Sequence, residues 1–299
     1  MSRAGHVGLI LLTMATLVGV LGLDAVGQHR RPGSVSIGEP NEGKLLRGAR
    51  LPQRGRGFYS NPKRPNAGAV YGTDETISVL TLAGADVDRQ APGATLYIND
   101  ISLPEGGSIP HHGSHRVGRD ADLLFFAFNG TGAVAEPVCI PFDAGGKAVW
   151  DRGTPRDPSD DEPRVFDVRR NWLVVRSLVE DPDGNVQRIY VAEHIRTLLL
   201  SHAREAGAPA WTIERAGDLM CEPGPPHDDH FHVRLFCTAE DYRLGCRDKW
   251  PLYPWRRTEL ARVGLTDPRL VVPEKRRSRG PVRRPAGPPS KSPGRFWCP

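Results

Sequence analysis

Apolar residues along the chain fall into two kinds of stretch: some recur in step with a helix or strand, others sit isolated among Pro, Gly and Arg. From Gly68 onward the first kind dominates. Ala94-Thr95-Leu96-Tyr97-Ile98 reads as a short strand, and Asn99-Asp100 through Gly106-Gly107 as turn-rich loop. The apolar second half of Asp120-Ala121-Asp122-Leu123-Leu124-Phe125-Phe126-Ala127-Phe128 predicts a buried strand, although its first half carries two carboxylates into the entry of a core. The polar stretch between Gly145 and Glu162 predicts a long surface loop. Asp167 then serves as N-cap for a helix in which Trp172, Val175, Leu178 and Val179 recur at helical spacing. A second helix is expected from about Gln187 to Glu205, with Ile189, Ala192, Ile195, Leu198, Leu199 and Ala203 on one face and Gly207 just past its end. Strict alternation through His230-Phe231-His232-Val233-Arg234-Leu235-Phe236 predicts a strand with His230, His232 and Arg234 on one face and Phe231, Val233 and Leu235 on the other.

These elements show no internal repeat and no regular βαβ alternation, so the expected class is α+β: a central antiparallel sheet with flanking helices and long loops. The ends read differently. Val7 to Leu23 is an apolar run behind Ser2-Arg3, the pattern of a secretory signal over residues 1–25, with Ala25 as the candidate cleavage position. An uncleaved anchor is the alternative, since such a run is at the lower limit for spanning a bilayer. Residues 26–65 and the tail 268–299 are rich in Arg, Lys, Pro and Gly, and are expected to be extensions of a single domain at 66–267.

Composition sharpens this division. The chain is 38% hydrophobic and 25% charged, as in ordinary globular proteins. Its net charge of +5 comes from the ends, because residues 66–267 hold 21 Lys and Arg against 31 Asp and Glu, a net of −10. An acidic core on an exported chain argues against nucleic acid as partner, and the only expected membrane contact is through the signal segment. The basic tail is either a docking arm for an anionic wall surface or simply solvated. Export makes Cys139, Cys221, Cys237, Cys246 and Cys298 candidates for disulfides; their spacing fits no zinc knuckle, and Cys237 and Cys246 are close enough to staple a short loop.

The strongest chemical signal is the crowding of six of the ten histidines into two short segments beside carboxylates. The first runs His111-His112-Gly113-Ser114-His115-Arg116-Val117-Gly118-Arg119-Asp120-Ala121-Asp122, the second His227-Asp228-Asp229-His230-Phe231-His232. On a strand, residues two apart aim the same way about 6.5–7 Å apart, which lets one imidazole hold a metal while the other stands beside it. Neutral imidazole and carboxylate are good zinc ligands, and catalytic zinc takes three protein ligands with a fourth position open. Spacing alone does not choose between Asp120 and Asp122, which share a strand face. The isolated His6, His29, His194 and His202 carry no such pattern.

Ser114 to Asp122 resembles the S-H-x-x-G-x-x-x-D motif of the LAS metallopeptidases, named for lysostaphin-type enzymes, D-Ala-D-Ala metallopeptidases and sonic hedgehog. With Asn99-Asp100 and His227 to Arg234 included, the pattern is similar to the penicillin-insensitive murein endopeptidases, and loosely so from about Gly68 to Cys246. The resemblance implies a LAS/hedgehog-like zinc core, with His115, Asp122 and His232 as ligands of Zn2+ and His230 as catalytic base or transition-state stabiliser. His112 and His227 match further active-site histidines, and Cys237 and Cys246 match a family disulfide with a longer loop here. The implied reaction is hydrolysis of D-alanyl to meso-diaminopimelyl cross-links of peptidoglycan in the periplasm. Two alternatives stand beside it. A D-alanyl-D-alanine carboxypeptidase or dipeptidase commonly places Glu three residues before the last ligand, where this chain has Asp229. A non-catalytic zinc-binding wall module has no use for His230 beside an open metal position.

Overall fold

The computed structural model describes residues 33–151, 158–224, 227–249 and 252–266, and over these it is an α+β fold of several small sheets and six helices. The expected signal segment and the tail lie outside the described residues. The extension expected at 26–65 is a correction from residue 33 onward. Strands β1 (Val35–Glu39) and β2 (Glu42–Leu46) form a hairpin in register Val35↔Leu46. Its turn requires Gly38, which has φ of 86° and would put a Cβ 2.4 Å from the Glu42 carbonyl oxygen. Short strands β3 (Ala49–Arg50), β4 (Arg54–Gly55) and β5 (Phe58–Tyr59) follow, and Leu45, Leu51 and Phe58 are buried. After β6 (Tyr71–Gly72), which pairs with β3, comes helix α1 (Asp74–Gln90), capped by Thr73 accepting from the Thr76 amide. Its buried Val79, Leu80, Ala83 and Val87 are diluted by Thr and Gly, so its period was not anticipated from sequence.

Strand β7 (Leu96–Tyr97), expected from the pattern, runs parallel to β5. The long apolar strand expected at 120–128 divides into β8 (Asp120–Leu124) and β9 (Ala127–Asn129). Between them Phe125 turns into an aromatic cluster, its ring 4.7 to 6.0 Å from those of Phe142, Phe166 and Phe231. The expected loop at 145–162 instead holds β10 (Lys147–Trp150) and the start of β11 (Glu162–Phe166), antiparallel to each other, with β11 also paired to β9.

Helix α2 (Val168–Glu180) begins where expected, with the Asp167 carboxylate accepting from the Arg170 amide. The helix expected from Gln187 begins only at Glu193. Residues Val186–Tyr190 are strand β12, separated from helix α3 (Glu193–Glu205) by Val191-Ala192. The inward Ile189 fits a helical stripe by spacing, but β12 lies between two other strands and Gln187 and Arg188 are buried, which tertiary pairing decides and periodicity cannot. Helix α4 (Ala210–Leu219) and β13 (Met220–Cys221) lead to β14 (His230–Leu235), then α5 (Ala239–Arg243) and α6 (Pro254–Arg262).

The sheet that positions the site has the order β13-β12-β14-β8; β12 and β8 flank β14 antiparallel, and only β13 is parallel to its neighbour. One face of β14 and β8 gives Phe231, Val233, Ala121 and Leu123 to the core, all fully buried. Period-two alternation therefore turns His230, His232 and Arg234, with Asp120 and Asp122, onto the other face. The register sets His232 opposite Asp122 and Arg234 opposite Asp120.

Candidate metal centre

Three ligand-type atoms meet above that face. His115 Nε2 is 3.3 Å from Asp122 Oδ1 and 3.3 Å from His232 Nδ1, and His232 Nδ1 is 3.4 Å from Asp122 Oδ1. Each imidazole is fixed by its other nitrogen. His115 Nδ1–H donates to the Ile101 carbonyl at 2.9 Å, and His232 Nε2–H donates to Asp120 Oδ1 at 3.0 Å. These bonds leave His115 Nε2 and His232 Nδ1 as facing lone pairs, which cannot hydrogen-bond to each other. Asp122 Oδ1 is buried and has no hydrogen-bond partner. Three acceptors converging on one point suit a cation. Atoms sharing a tetrahedral zinc at roughly 2.0–2.1 Å lie about 3.3 Å from one another, so the spacing fits that ion. Asp122 sits midway along β8, His232 across from it on β14, and His115 enters from the loop with φ of 65°.

Burial lowers His115, but the Asp122 and Asp120 carboxylates outweigh it and raise the ring, so its neutral, ligating form competes with a proton on Nε2. Burial pushes the Asp122 carboxyl up, but the His115 and His230 rings outweigh it and hold the group well below the usual carboxylate range. Burial drives His232 down to about 4, which keeps it neutral and able to ligate at neutral pH.

Asp120, which spacing could not separate from Asp122, has a different job. Its Oδ1 accepts from His232 Nε2 and from Arg234 Nε at 2.6 Å, and its Oδ2 accepts from the His115 amide at 3.1 Å. Arg234 in turn donates to Tyr190 Oη at 2.9 Å. Such partners orient the rings that ligate a metal and raise their basicity. His112 plays a similar outer part: its Nε2 donates to Asp100 Oδ2 at 2.9 Å, and its Nδ1 is 3.6 Å from Asp122 Oδ2. His112, His115 and Asp122 also form a set whose donor atoms lie within 4.8 Å, but the contact of His112 Nδ1 to Asp122, 3.6 Å against 3.4 Å for His232 Nδ1, favours His232 as the third ligand.

His230 stands beside the three-atom face with Nε2 3.5 Å from Asp122 Oδ1, and its Nδ1–H donates to Asp229 Oδ1 at 2.6 Å. Burial works against its charge, yet Asp122 and Asp229 outweigh that and push it up to about 12, so the ring holds a proton on each nitrogen. The His227 ring lies 5.1 Å from that of His230 and 5.5 Å from that of His232, forming the wall next to Tyr190. All seven residues singled out from sequence thus gather in one place. His194 and His202 sit on α3, and His194 bonds to the Phe142 carbonyl.

Three participants, and Cys139 as a neighbour of the site, escaped the sequence reading as site residues. Asp100 anchors His112, Arg64 and Asn66; Tyr190 supports Arg234; Asp229 holds His230; and Cys139, which is free and exposed, donates its thiol to Asp229 Oδ2 at 3.1 Å. Only Asp229 and Asp100 had a local signal, being next to motif residues. Burial and the Asp229 charge push the Cys139 thiol up rather than down, so it is no activated nucleophile.

Residues 36–254 match the family of penicillin-insensitive murein endopeptidases. The chain belongs to that family. A penicillin-insensitive murein endopeptidase from Haemophilus influenzae is 27% identical over 249 residues, covering 80% of this chain and 79% of that protein. Membership makes the chain a peptidoglycan endopeptidase, and the family match begins within β1, so the matched segment includes the N-terminal hairpin.

Proposed function

We propose that the chain is a periplasmic, zinc-dependent endopeptidase that hydrolyses D-alanyl to meso-diaminopimelyl cross-links, with His115 Nε2, Asp122 Oδ1 and His232 Nδ1 as the zinc ligands. The observation that carries this reading is the buried Asp122 Oδ1, without a hydrogen bond and 3.3 to 3.4 Å from two imidazole nitrogens whose protons point elsewhere. When bound, zinc supplies the Lewis acidity that activates water and polarises a scissile carbonyl. Asp120 and the Ile101 carbonyl hold the two imidazoles in the ligating tautomer. Asp229 holds the His230 ring so that Nε2 faces the ligand set. From there His230, carrying both ring protons, gives the Nε2 proton to the leaving amine or stabilises the charge that builds up on the carbonyl oxygen. His227 and Tyr190 wall the side nearest β12. No serine or thiolate attacks, which is why an acylating β-lactam has nothing to modify.

The decisive experiment is digestion of diaminopimelate-type sacculi by the zinc-loaded protein, with mass analysis of the soluble products. Conversion of cross-linked dimers to monomers supports the proposal. Loss of a terminal alanine alone would show a carboxypeptidase, and zinc binding without any product would show a binding module.

A further inference from the structure

Beside the proposed zinc ligands lies a second group of donors. Cys139 Sγ, an Asp229 carboxylate oxygen and a His230 ring nitrogen all lie within 4.8 Å of one another. The three residues come from two parts of the chain: Cys139 from the segment after β9, 90 residues before Asp229, and the adjacent Asp229-His230 from the start of β14. The thiol contacts Asp229 Oδ2 at 3.1 Å, and Asp229 Oδ1 holds His230 Nδ1 at 2.6 Å. Cys139 is exposed, while Asp229 and His230 side chains retain 29% and 17% of their accessibility, so solvent ions reach the group directly. One face of the His230 ring serves the catalytic set through Nε2; the opposite nitrogen, Nδ1, belongs to this group.

We propose that Cys139, Asp229 and His230 Nδ1 form a second, inhibitory binding site for a soft divalent cation such as Zn2+ or Cd2+. A thiolate, an imidazole and a carboxylate together favour zinc-like ions over Mg2+ or Ca2+, whose preferred ligands are oxygens. Binding releases the thiol proton and the Nδ1 proton to solvent, and the Asp229–His230 contact opens from 2.6 Å to about 3.3 Å, the separation of two ligands on one tetrahedral ion. A water fills the fourth position. The consequence for activity rests on the role given above to His230: a ring ligated at Nδ1 keeps its Nε2 proton but loses its bond to Asp229, so it is re-aimed and Nε2 is no longer held facing the catalytic ligand set. Hydrolysis then rises with the first equivalent of zinc and falls with the second. The occupant of the second site therefore reports wall-compartment metal excess directly on the enzyme.

The test uses the full protein carrying one equivalent of zinc, titrated with Cd2+. The proposed catalytic ligands include no sulfur, so an ultraviolet sulfur-to-cadmium charge-transfer band reports the second site alone. Wild type should gain the band at one further equivalent, with dialysis and elemental analysis showing two metals per chain, and murein hydrolysis should fall by roughly 10²-fold or more, the scale of losing a proton-transfer group. Cys139→Ser should lose both the band and the inhibition while keeping the first equivalent and its activity. Absence of a band in a wild type whose Cys139 thiol is titratable would overturn the site, and so would a band that persists in Cys139→Ser. A band without inhibition would overturn the inhibitory role. Lack of hydrolysis at one equivalent would count against the endopeptidase reading and leave the band, hence the second site, intact.

Discussion

The strand pair β8/β14 and the N-terminal segment 33–65 are built on opposite principles. In the strand pair, chemistry is written at period two: His230, His232 and Arg234 on one strand meet Asp122 and Asp120 on the other through a single register. In the N-terminal segment the strands pair with near neighbours but dock on remote ones. The β1–β2 hairpin is tied to residues far along the chain, with the Gly38 amide donating to the Gly245 carbonyl, the Ser36 amide donating to Asp241, and Leu45 bonding to the Glu105 carbonyl. Docking bonds to such distant residues have no periodic signature, and a composition rich in Arg, Pro and Gly hides the few apolar residues that fold the segment. Low hydrophobicity excludes independent folding but not docking on a surface that already exists. A functional site is therefore more legible in sequence than the scaffold segment that closes over its domain.

The sharpest test of the strand pair separates two histidines that face the same way. His232→Ala removes one of three proposed ligands, so bound zinc and murein hydrolysis should both be lost. His230→Ala leaves all three, so zinc should stay while turnover falls by roughly 10²-fold or more. Zinc content and hydrolysis measured on the same preparations decide the matter; a His230→Ala protein that has lost its metal while His232→Ala retains it would reverse the assignment.

The pleat makes the shared face of His230 and His232 legible in sequence, but which of them ligates, and Asp122 rather than Asp120, is implied only by the family resemblance. Spacing leaves Asp120 and Asp122 equal because both point the same way, and the structure separates them by partner: Asp120 is opposite Arg234, Asp122 opposite His232. Cys139 was illegible for a different reason. It reaches Asp229 across 90 residues through a segment without regular structure, so no local pattern links them. Strand β12 was mistaken for a helix start because an inward Ile189 suits either period, and the strands on both sides of it settle the question.

Where the two regions join, one residue carries the load. Arg119, buried between Gly118 and Asp120, donates to Ser36 Oγ at 3.0 Å, to the Leu235 carbonyl at 2.8 Å and to Asp248 Oδ1 at 3.3 Å, linking β1, the end of β14 and the C-terminal loop. Arg119→Ala removes from the buried Asp248 one of its counter-ions, Arg256 being another, and should cost ~3–5 kcal/mol of stability in chemical denaturation. Protein that remains folded should keep its zinc, because Arg119 touches no proposed ligand. Loss of metal from folded Arg119→Ala would mean that the junction also sets the site.

A smaller effect is expected on the far side of the same junction. Cys237 and Cys246 form a disulfide, as the resemblance implied, across a loop of nine positions that contains α5. Replacing both by Ala relaxes the unfolded chain and should cost about 2.5–3 kcal/mol by loop-closure entropy. Thermal unfolding of the two forms measures this. If the comparison drawn above is right, proteolysis of the β1–β2 hairpin should accelerate in the double mutant before that of β8 or β14, because the hairpin docks on this loop while the strand pair does not. Simultaneous cleavage in both regions would show that they unfold as one unit.

The smallest effect should be the dependence of that docking on pH. Asp241, at 3% exposure, lies under β1 and accepts from the Ser36 amide at 3.1 Å. Burial, which the Ser36 bond and Arg119 only partly offset and which Glu75 and Glu240 reinforce, pushes its carboxyl up to about 6 from an ordinary value of 3.8. A carboxyl with a raised folded-state pKa binds its proton more tightly in the native protein than in the unfolded chain. Its contribution is therefore most favourable below pH 3.8 and is lost as pH rises through about 6. Allowing for solvent screening, the loss should be on the order of 1–2 kcal/mol. Protonation of the proposed zinc ligands runs the other way, so the measurement is a difference: urea unfolding of wild type and Asp241→Asn between pH 4 and pH 7. Asn keeps an acceptor for the Ser36 amide but cannot ionise, so the variant should be close to wild type at pH 4 and more stable at pH 7. Parallel curves for the two proteins would show that Asp241 is charged throughout, and that the hairpin is held by hydrogen bonds and Leu45 burial alone.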